Sequence, residues 1–432
     1  MSRTGSSAVG GDRKPLFALY AAEAISQIGN MMTIVAGPWF VLETTGSAAK
    51  TGIVSAALVL GSVLPAVAGG PIVDRLGYRR GSVLADLFSA ATVALVPLLH
   101  AADVLAFWQL VALVFILSSF NSQGDTARFG LVPGLARHAY MTPEHANAVD
   151  RAVVRVGSLL GPLLGGFFIA LLGAANVLLL DALTFTTSAL IVAFGVPRSL
   201  GRISGRDESG EPVGGYWAEL KEGLHYIGSH RVILWVVIVI TIGNSLDKPL
   251  ITVVAPVYAE RIFGNPESLG LMVGAFGGGA LLGTLAYGAI GRQWPRRRTF
   301  LTCFVVAPLI AFGVLALTPP LPVVVLAAFV SGLVAGPINP VFETVVQERT
   351  PAYMLGRVFG ALQALAFVGI PIGAVAAGAA IEAAGLVPTI VAMGSLYVLL
   401  TSLMFLNPTL RQMDIRTSAT PSADSGADDR AT

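Results

Sequence analysis

Polar side chains recur at helical spacing inside the first long apolar run of the sequence. Glu23, Gln27 and Asn30 stand at positions i, i+4 and i+7. These positions share one face of an α-helix, which has about 3.6 residues per turn. Ionisable groups within apolar helices are costly and mark functional sites by default. We predict that this stripe faces an interior cavity and that Glu23 exchanges protons there; a structural ion pair is the alternative for Glu23.

A second polar set lies in the seventh apolar run and consists of Asn244, Asp247 and Lys248. Asp247 is a further candidate for a functional carboxylate. Lys248 either neutralises it in part or extends along the helix to a polar interface. Asp181, in the sixth run, is interpreted as a packing or loop-anchoring residue.

Other charged residues lie near the ends of apolar runs and predict ion pairs between helices. Asp125 and Arg128 are one helical turn apart and are interpreted as a local pair. Arg155 lies deep enough in the fifth run to need a partner. Asp86 and Glu343 are the candidate partners of Arg155. We expect gate salt bridges rather than substrate ligands from the whole set: Asp86, Asp125, Arg128, Arg151, Arg155 and Glu343.

The elements that position these residues follow from the composition. Of the 432 residues, 54% are hydrophobic and only 12% are charged, against about a quarter charged in soluble domains. A membrane-crossing helix needs roughly 20 mostly apolar residues. Twelve runs qualify: 16–42, 51–73, 82–100, 104–126, 147–173, 175–196, 231–259, 267–290, 299–318, 321–346, 357–384 and 386–408. The expected fold is all-α and membrane-embedded, with twelve transmembrane helices in two six-helix bundles.

The loop charges orient these helices. Six connections share one side: 42–51, 100–104, 173–175, 259–267, 318–321 and 384–386. Of the 27 basic residues, only Lys50 and Arg261 fall in them, whereas the opposite connections are rich in arginine. Cytoplasmic loops are the ones enriched in Lys and Arg. We predict a multi-pass protein of the bacterial plasma membrane with both chain ends in the cytoplasm.

The same pattern divides the chain into five segments. We predict a cytoplasmic N-terminus at 1–15, bundles at 16–196 and 231–408, a cytoplasmic linker at 197–230 and a disordered tail at 409–432. Within the linker, Gly201–Gly205 has the composition of a flexible segment, and Tyr216–Ile227 has the periodicity of an amphipathic surface helix. Two repeated bundles are typical of transporters whose substrate site lies between the halves.

Two motifs stand out in the first half. Residues 70–80, between the second and third helices, read Gly-Pro-Ile-Val-Asp-Arg-Leu-Gly-Tyr-Arg-Arg, and residues 157–166, in the fifth, read Gly-Ser-Leu-Leu-Gly-Pro-Leu-Leu-Gly-Gly. The glycines of the second motif let a neighbouring helix approach closely, and Pro162 removes a backbone hydrogen bond. The alternatives to a gating role are simple helix packing and a solvated loop, in which Arg79 and Arg80 would lie at the surface.

These motifs resemble motifs A and C of the major facilitator superfamily, and residues 16–408 are similar to its macrolide-efflux and enterobactin-exporter branch of drug:proton antiporters. The resemblance implies a central cavity lined by the seventh helix, and hence by Asn244 and Asp247. It implies an inner gate at Gly70, Asp74, Arg75, Gly77, Arg79 and Arg80. It also implies a seal against ion leak at Gly157, Gly161, Pro162, Gly165 and Gly166. In the gate, Asp74 would accept the start of the eleventh helix.

Other function classes fit the residues less well. The Gly277–Gly283 stretch lies within a helix rather than after a strand, so we interpret it as helix packing and not phosphate binding. The five histidines lack metal-ligand spacing, and Cys303, the one cysteine, is interpreted as a packing residue. The nearly balanced charge gives no reason to expect a nucleic-acid partner. We predict no enzyme activity and no cofactor, with a proton gradient as the energy source.

The predicted function is proton-coupled efflux, by alternating access, of a hydrophobic or amphipathic small molecule such as a drug, a macrolide-like compound, a siderophore or another secondary metabolite. The protein is expected to act as a monomer in the lipid bilayer. The alternative is an importer or uniporter of a small metabolite on the same fold. A membrane receptor or assembly factor is a third class, but it predicts a large soluble domain or long loop, which these residues do not contain.

Overall fold

The computed structural model describes residues 12–68, 76–198 and 216–414. Within these residues every regular element is a helix. Several predictions lie outside the described residues: those for Gly70, Asp74 and Arg75 of motif A, for the linker at 201–205 and for the tail at 415–432.

Twelve long helices form two groups of six in the described part of the chain. The first group is α1 (Lys14–Thr45), α2 (Ala48–Ala68), α3 (Tyr78–Ala101), α4 (Phe107–His138), α5 (Pro143–Leu172) and α6 (Ala174–Gly195). The second is α7 (Arg231–Phe263), α8 (Pro266–Ile290), α9 (Arg296–Ala316), α10 (Leu321–Arg349), α11 (Leu355–Ala384) and α12 (Leu386–Leu406). Eleven of the twelve are long and apolar enough to cross a membrane. The predicted all-α fold is confirmed.

The exception is α4, whose second half is polar. The predicted span at 104–126 covers its apolar part, and the helix continues without a break to His138. Its polar half is held inside the first bundle, where Arg128 is buried and ion-paired. A hydropathy profile scores each residue without regard to its partners, so the predicted span ends where the polar residues begin.

Three helices of the second bundle depart from regular α geometry: α7, α10 and α11, the last of which is interrupted at Gly369. In α7 a π-helical segment, Leu250–Val254, follows directly after Pro249. Proline has no N–H to donate and disturbs the hydrogen-bond pattern of the turn before it. In α10 the helix breaks at Gly336-Pro337. A π-helical turn changes the direction of the side chains that follow it and is frequent at functional sites.

The six connections on one face of the molecule are tight turns. Each contains a residue in the left-handed backbone conformation: Gly46, Asp103, Gly173, Gly264, Thr318 and Gly385. We call this the short-loop face, and the opposite one, where α1 begins, the basic face. The turns fall in the connections that the sequence places together on one side.

The two bundles meet along two close helix pairs, α2 with α11 and α5 with α8. A Cβ added at Gly52 of α2 would lie 2.4 Å from the carbonyl oxygen of Ala374. A Cβ at Gly166 of α5 would lie 2.9 Å from the Cα of Gly270 in α8. Backbones come this close only where side chains are absent. Small residues therefore define where the bundles touch.

The linker helix, Tyr216–Ser229, packs on the basic face of the second bundle. It spans the residues, 216–227, whose periodicity predicts an amphipathic surface helix. Gly223 lies against the backbone carbonyl of Arg357 in α11, and Glu222 forms an exposed ion pair with the Arg357 guanidinium at 2.9 Å. The linker helix is thus attached to the start of α11.

The segment after α12 is ordered at first. Pro408–Asp414 forms a short 3-10 segment whose Leu410 and Met413 side chains are buried. The predicted disordered tail is therefore wrong for residues 409–414. The reason is that these two apolar side chains pack against α7 and α9, contacts that a compositional argument does not include.

Replacing Gly270 by alanine will test the close contact between α5 and α8. A Cβ there would lie 2.7 Å from the carbonyl oxygen of Pro162, so the helices must move apart, and we expect a loss of about 1–3 kcal/mol in stability. Gly288→Ala in the same helix is the matched control, since a Cβ at Gly288 meets no atom within 4 Å. Thermal unfolding of the detergent-purified protein measures both. Equal melting temperatures for the two variants would contradict the contact.

Candidate functional site

A cavity of about 830 Å³ lies between the two bundles. Most of its wall comes from α1, α2, α5, α7, α8, α10 and α11. Toward the short-loop face it ends where the bundles touch. Toward the basic face it extends to Arg155 of α5 and to Glu343 and Gln363 of the second bundle, whose side chains are exposed. The cavity is therefore closed on one side of the molecule and accessible from the other.

Contacts between the bundles close the short-loop end. Glu382 of α11 accepts the backbone N–H of Ala49 at 3.1 Å and also the hydroxyl of Ser47. Its carboxylate lies at the N-terminus of α2, where the helix dipole favours a negative charge. Deeper in the interface, the Ser55 hydroxyl of α2 donates to the carbonyl oxygen of Thr252 in α7 at 3.1 Å. These contacts must break for the cavity to open on this face.

The cavity wall is mostly apolar, with polar groups at separate places. Its charged residues among those described are Arg155, Asp247, Lys248 and Glu343, and its amides are Asn244, Asn339 and Gln363. Sequence reasoning missed Asn339 and Gln363. Each is an amide within a predicted transmembrane run, the same signal that marks Asn244. Such a wall suits a mainly apolar ligand that a few polar contacts orient.

Asn244 and Asp247 of α7 lie in the cavity wall. The Asn244 side-chain amide donates to the carbonyl oxygen of Ala366 in α11 at 3.1 Å. The Asp247 carboxylate accepts the hydroxyl of Tyr397 in α12 at 2.9 Å. Both residues precede the π-helical segment of α7, and their side chains are fixed to different neighbouring helices. Their roles in transport stay predictions.

The predicted stripe on α1 faces the interior of the first bundle instead of the described cavity. Gln27 donates to the Ser158 hydroxyl of α5 at 3.3 Å and packs against Gly157. Glu23 is buried and faces α4. Neither residue, nor Asn30, is among those that line the cavity in this conformation, whereas Met31 and Thr33 of the same helix are. The periodicity located a polar face but could not say which neighbour it meets.

Glu23 belongs to a buried ion cluster centred on Arg128 of α4. The Arg128 guanidinium donates to Asp86 of α3 at 2.6 Å, to Asp125 at 2.6 Å and to Glu23 of α1. The second oxygen of Asp86 accepts the Ser188 hydroxyl of α6 at 2.7 Å. The Arg128 side chain is 3% exposed and that of Asp86 1%, but Asp125 is 48% exposed. The cluster thus joins four helices and has one accessible edge.

The charges of this cluster do not balance. Three carboxylates surround one guanidinium, so full ionisation leaves an excess of two negative charges. Uncompensated charge in a desolvated site costs several kcal/mol per ion, and carboxylates that share a site relieve their repulsion when one binds a proton. The chemistry that this arrangement supports is reversible proton binding. The exposed Asp125 side chain offers a route for the proton.

The predicted partners of Arg155 are not its partners in the structure. Asp86 is engaged by Arg128, and Arg155 forms no ion pair with any described residue. It lines the cavity together with Glu343, which is likewise unpaired among the described residues. Arg151, also expected in an ion pair, lies over the ring of Phe129 with its guanidinium carbon 4.9 Å from the ring centre. The pairing was wrong because spacing along a helix does not determine which helix lies opposite.

The glycines of motif C serve two different contacts. Added Cβ atoms at Gly157, Gly161 and Gly165 would collide with α1 inside the first bundle. Gly166 instead faces Gly270 of α8 across the bundle interface. The motif therefore fixes α5 against α1 and, one residue later, seals the two bundles together. Pro162 lies at this seal and lines the cavity.

The described part of motif A caps a helix. Gly77 has φ +80°, where glycine is favoured, and directly precedes α3. Arg79, interpreted from the sequence as a surface residue, donates to the carbonyl oxygens of Val196, at 2.7 Å, and of Ala193, at the end of α6. A cation is favoured at a helix C-terminus. Arg80 is exposed.

Asp181 is a fully buried carboxyl group at the contact of α1 with α6. It accepts the Thr33 hydroxyl at 2.6 Å and the Thr184 hydroxyl at 3.0 Å. A Cβ at Gly29 would lie 2.4 Å from its oxygen, so the glycine provides its space. This agrees with the packing role interpreted from the sequence.

Two bundles of membrane-length helices around a cavity that is closed at one face are typical of a membrane transporter. Residues 7–426 match the family model described as transmembrane secretion effector. The chain belongs to this family of the major facilitator superfamily and is a transporter, not an enzyme, which confirms the resemblance that its motifs indicate.

Similar proteins cover nearly the whole chain. It is 35% identical over 407 residues to the multidrug efflux pump Tap of Mycolicibacterium fortuitum, which covers 93% of this chain and 98% of that protein. It is 20% identical over 406 residues to macrolide efflux protein A of Streptococcus pyogenes, covering 93% and 97%. Among solved structures, the nucleoside transporter NupG aligns with a TM-score of 0.74 at 13% identity, covering 91% and 98%. The last likeness shows the fold alone.

Replacing Arg128 by methionine will test the ion cluster. The change leaves three carboxylates without their cation, and we expect a loss of about 3–5 kcal/mol in stability, the cost of breaking a buried ion pair from one side. Arg137→Met in the same helix is the control, because Arg137 is exposed. Thermal unfolding in detergent distinguishes the two. If Arg128→Met unfolds at the temperature of Arg137→Met, the cluster does not hold the bundle together.

Proposed function

We propose that this chain is a proton-coupled exporter of hydrophobic or amphipathic small molecules, drugs among them. The observation that carries the proposal is the Arg128 cluster, in which Glu23 and two other carboxylates share one cation. The names of the relatives, a multidrug efflux pump and a macrolide efflux protein, support the substrate class. The mainly apolar cavity wall supports it independently.

In the proposed orientation the basic face and both chain ends are cytoplasmic, in a bacterial plasma membrane. The described conformation is then open to the cytoplasm, with the short-loop face closed by Glu382 and by the glycine contacts. Substrate enters the cavity from the cytoplasm or the inner leaflet. Separation of α2 from α11 and of α5 from α8 releases it on the other side.

Proton binding is proposed to act on the cavity through α1. A proton on Glu23 removes its charge and weakens its bond to Arg128. Met31 and Thr33 of the same helix line the cavity, two to three turns farther along. A shift or rotation of α1 therefore changes the cavity wall and, through the glycines of motif C, the position of α5.

The remaining parts of the proposal rest on sequence and family. The expected contact between Asp74 of motif A and the start of α11 would close the basic face in the other state. The energy comes from the proton gradient, with no cofactor, and the transporter works as a monomer in the bilayer. The alternative of an importer or uniporter gains no support from the nucleoside transporter, since that likeness is in fold alone.

A drug-susceptibility comparison tests export and the role of Glu23. In an efflux-deficient bacterial host, the chain should raise the inhibitory concentration of several compounds from a panel of erythromycin, tetracycline and ethidium. Glu23→Gln should return it to the level of the host alone, because the variant cannot exchange a proton. Glu43→Gln, which changes an exposed residue of the same helix, should retain full resistance. A uniporter would instead tolerate Glu23→Gln.

Proteoliposomes test the coupling ion directly. With a pH-sensitive dye inside and an inward proton gradient, outward movement of erythromycin should acidify the interior. Glu23→Gln protein, reconstituted to the same level, should leave the dye signal unchanged. Export without acidification would show that protons are not the coupling ion.

A further inference from the structure

A second, smaller cavity of about 80 Å³ lies within the second bundle, between α7, α8, α9, α10 and α12. Its walls are largely alanine and branched aliphatic side chains, such as Ala307 and Ala311 of α9 and Ala328 of α10. The polar group of Ser331 in its wall is satisfied, since the hydroxyl donates to the carbonyl oxygen of Ala307 at 2.8 Å. The space therefore suits an apolar group.

This space adjoins the central cavity. The two share six lining residues: Asp247, Ile251, Val273, Phe276, Ala335 and Ile338. They come from α7, α8 and α10, and we call this shared boundary the mouth. We call the smaller space the side pocket.

One carboxylate stands at this mouth. Asp247 accepts the Tyr397 hydroxyl on one oxygen at 2.9 Å, and no described side chain donates to the other. Tyr397 is buried, and its ring centre lies 6.3 Å from that of Phe312, which fixes the hydroxyl. Lys248 is exposed and lines the main cavity but not the side pocket, and it forms no ion pair with Asp247. The carboxylate is held in place with one oxygen available.

We propose that the side pocket binds one slim alkyl or aryl branch of the transported molecule, while a cationic centre at the root of that branch pairs with Asp247. The side pocket would bury the apolar branch away from water, and Asp247 would form a charge-assisted contact with the cationic centre at its base. Tyr397 is then a positioning residue that holds Asp247 at the mouth. The direction in which the bound molecule is transported rests on the proposed function, whereas the binding of that molecule to the side pocket does not.

Equilibrium binding to the full-length protein in dodecylmaltoside micelles tests the proposal. The probe is tetraphenylphosphonium, which has aryl branches around a cation, and its control is tetraphenylborate, which has the same shape and the opposite charge. The phosphonium should bind at least about tenfold more tightly than the borate. Equal binding of the two ions, or no binding of the phosphonium, would overturn the assignment of a cationic branch.

Two substitutions test separately how the side pocket and the charge of Asp247 contribute to binding. Asp247→Asn should weaken phosphonium binding about tenfold by removing the ion pair, and Ala328→Leu should weaken it about tenfold by filling the pocket. Ala392→Leu is the matched control, because Ala392 is exposed on α12 and lines neither cavity; it should bind like the parent. If Ala328→Leu also binds like the parent, the side pocket is not used.

Tyr397→Phe keeps the ring and removes the hydroxyl. It should lower the preference for phosphonium over borate several-fold, since Asp247 is no longer held at the mouth, while leaving melting temperature within the range of the control variants. An unchanged preference would exclude a positioning role for Tyr397.

Cys303 gives a second measurement that needs no substitution. It lines the side pocket and is the one cysteine of the chain, so a small methanethiosulfonate reagent reports on this site alone. Saturating phosphonium should slow its modification several-fold, and tetraphenylborate should not. Modification at the same rate with and without phosphonium would overturn the proposal. Neither measurement uses a proton gradient, so failure of proton coupling would leave both results intact.

Discussion

The first bundle depends on one guanidinium that is shared by three carboxylates. Arg128 ties α1, α3 and α4 together, and Asp86 extends the network to α6 through Ser188. Separating α1 or α3 from α4 leaves charge unpaired in a desolvated site, at a cost of several kcal/mol per ion. While the cluster is intact the four helices keep their register. A change in its protonation is therefore the event best able to alter how they pack.

Across the bundle interface the bonding is of another kind. The ion pairs found in the described residues lie within one bundle or between it and the linker helix, and none joins the two bundles. The bundles meet instead through glycine contacts and a few hydrogen bonds to backbone groups. Such contacts cost little to break and can re-form at another register. A rocking motion of the two halves requires strong interactions within each bundle and weak interactions between the bundles.

Sequence alone was sufficient for the approximate positions of the long helices, because hydropathy acts residue by residue. It also located the polar face of α1 and the carboxylate of α7. It did not find that Glu23 meets Arg128 or that Arg155 is without an ion pair, since partners depend on which helices are neighbours. Asn339 and Gln363 are amides within apolar runs, as Asn244 is, and could have been predicted in the same way. The π-helical segment after Pro249 has no periodic signal, yet it follows the turn that presents Asp247.

The two bundles carry different kinds of charge. In the first, the carboxylates are concentrated around Arg128 and lie away from the cavity wall, where they can exchange protons without contacting the transported molecule. In the second, Asp247 stands in the wall of the cavity, where the side pocket adjoins it. If one carboxylate served both purposes, each substrate would have to compete with the proton for the same oxygen atoms. In the proposed mechanism the proton and the substrate bind apart and interact only through the position of α1 and α5. The cavity could then accept molecules of varied structure while the coupling chemistry stays the same.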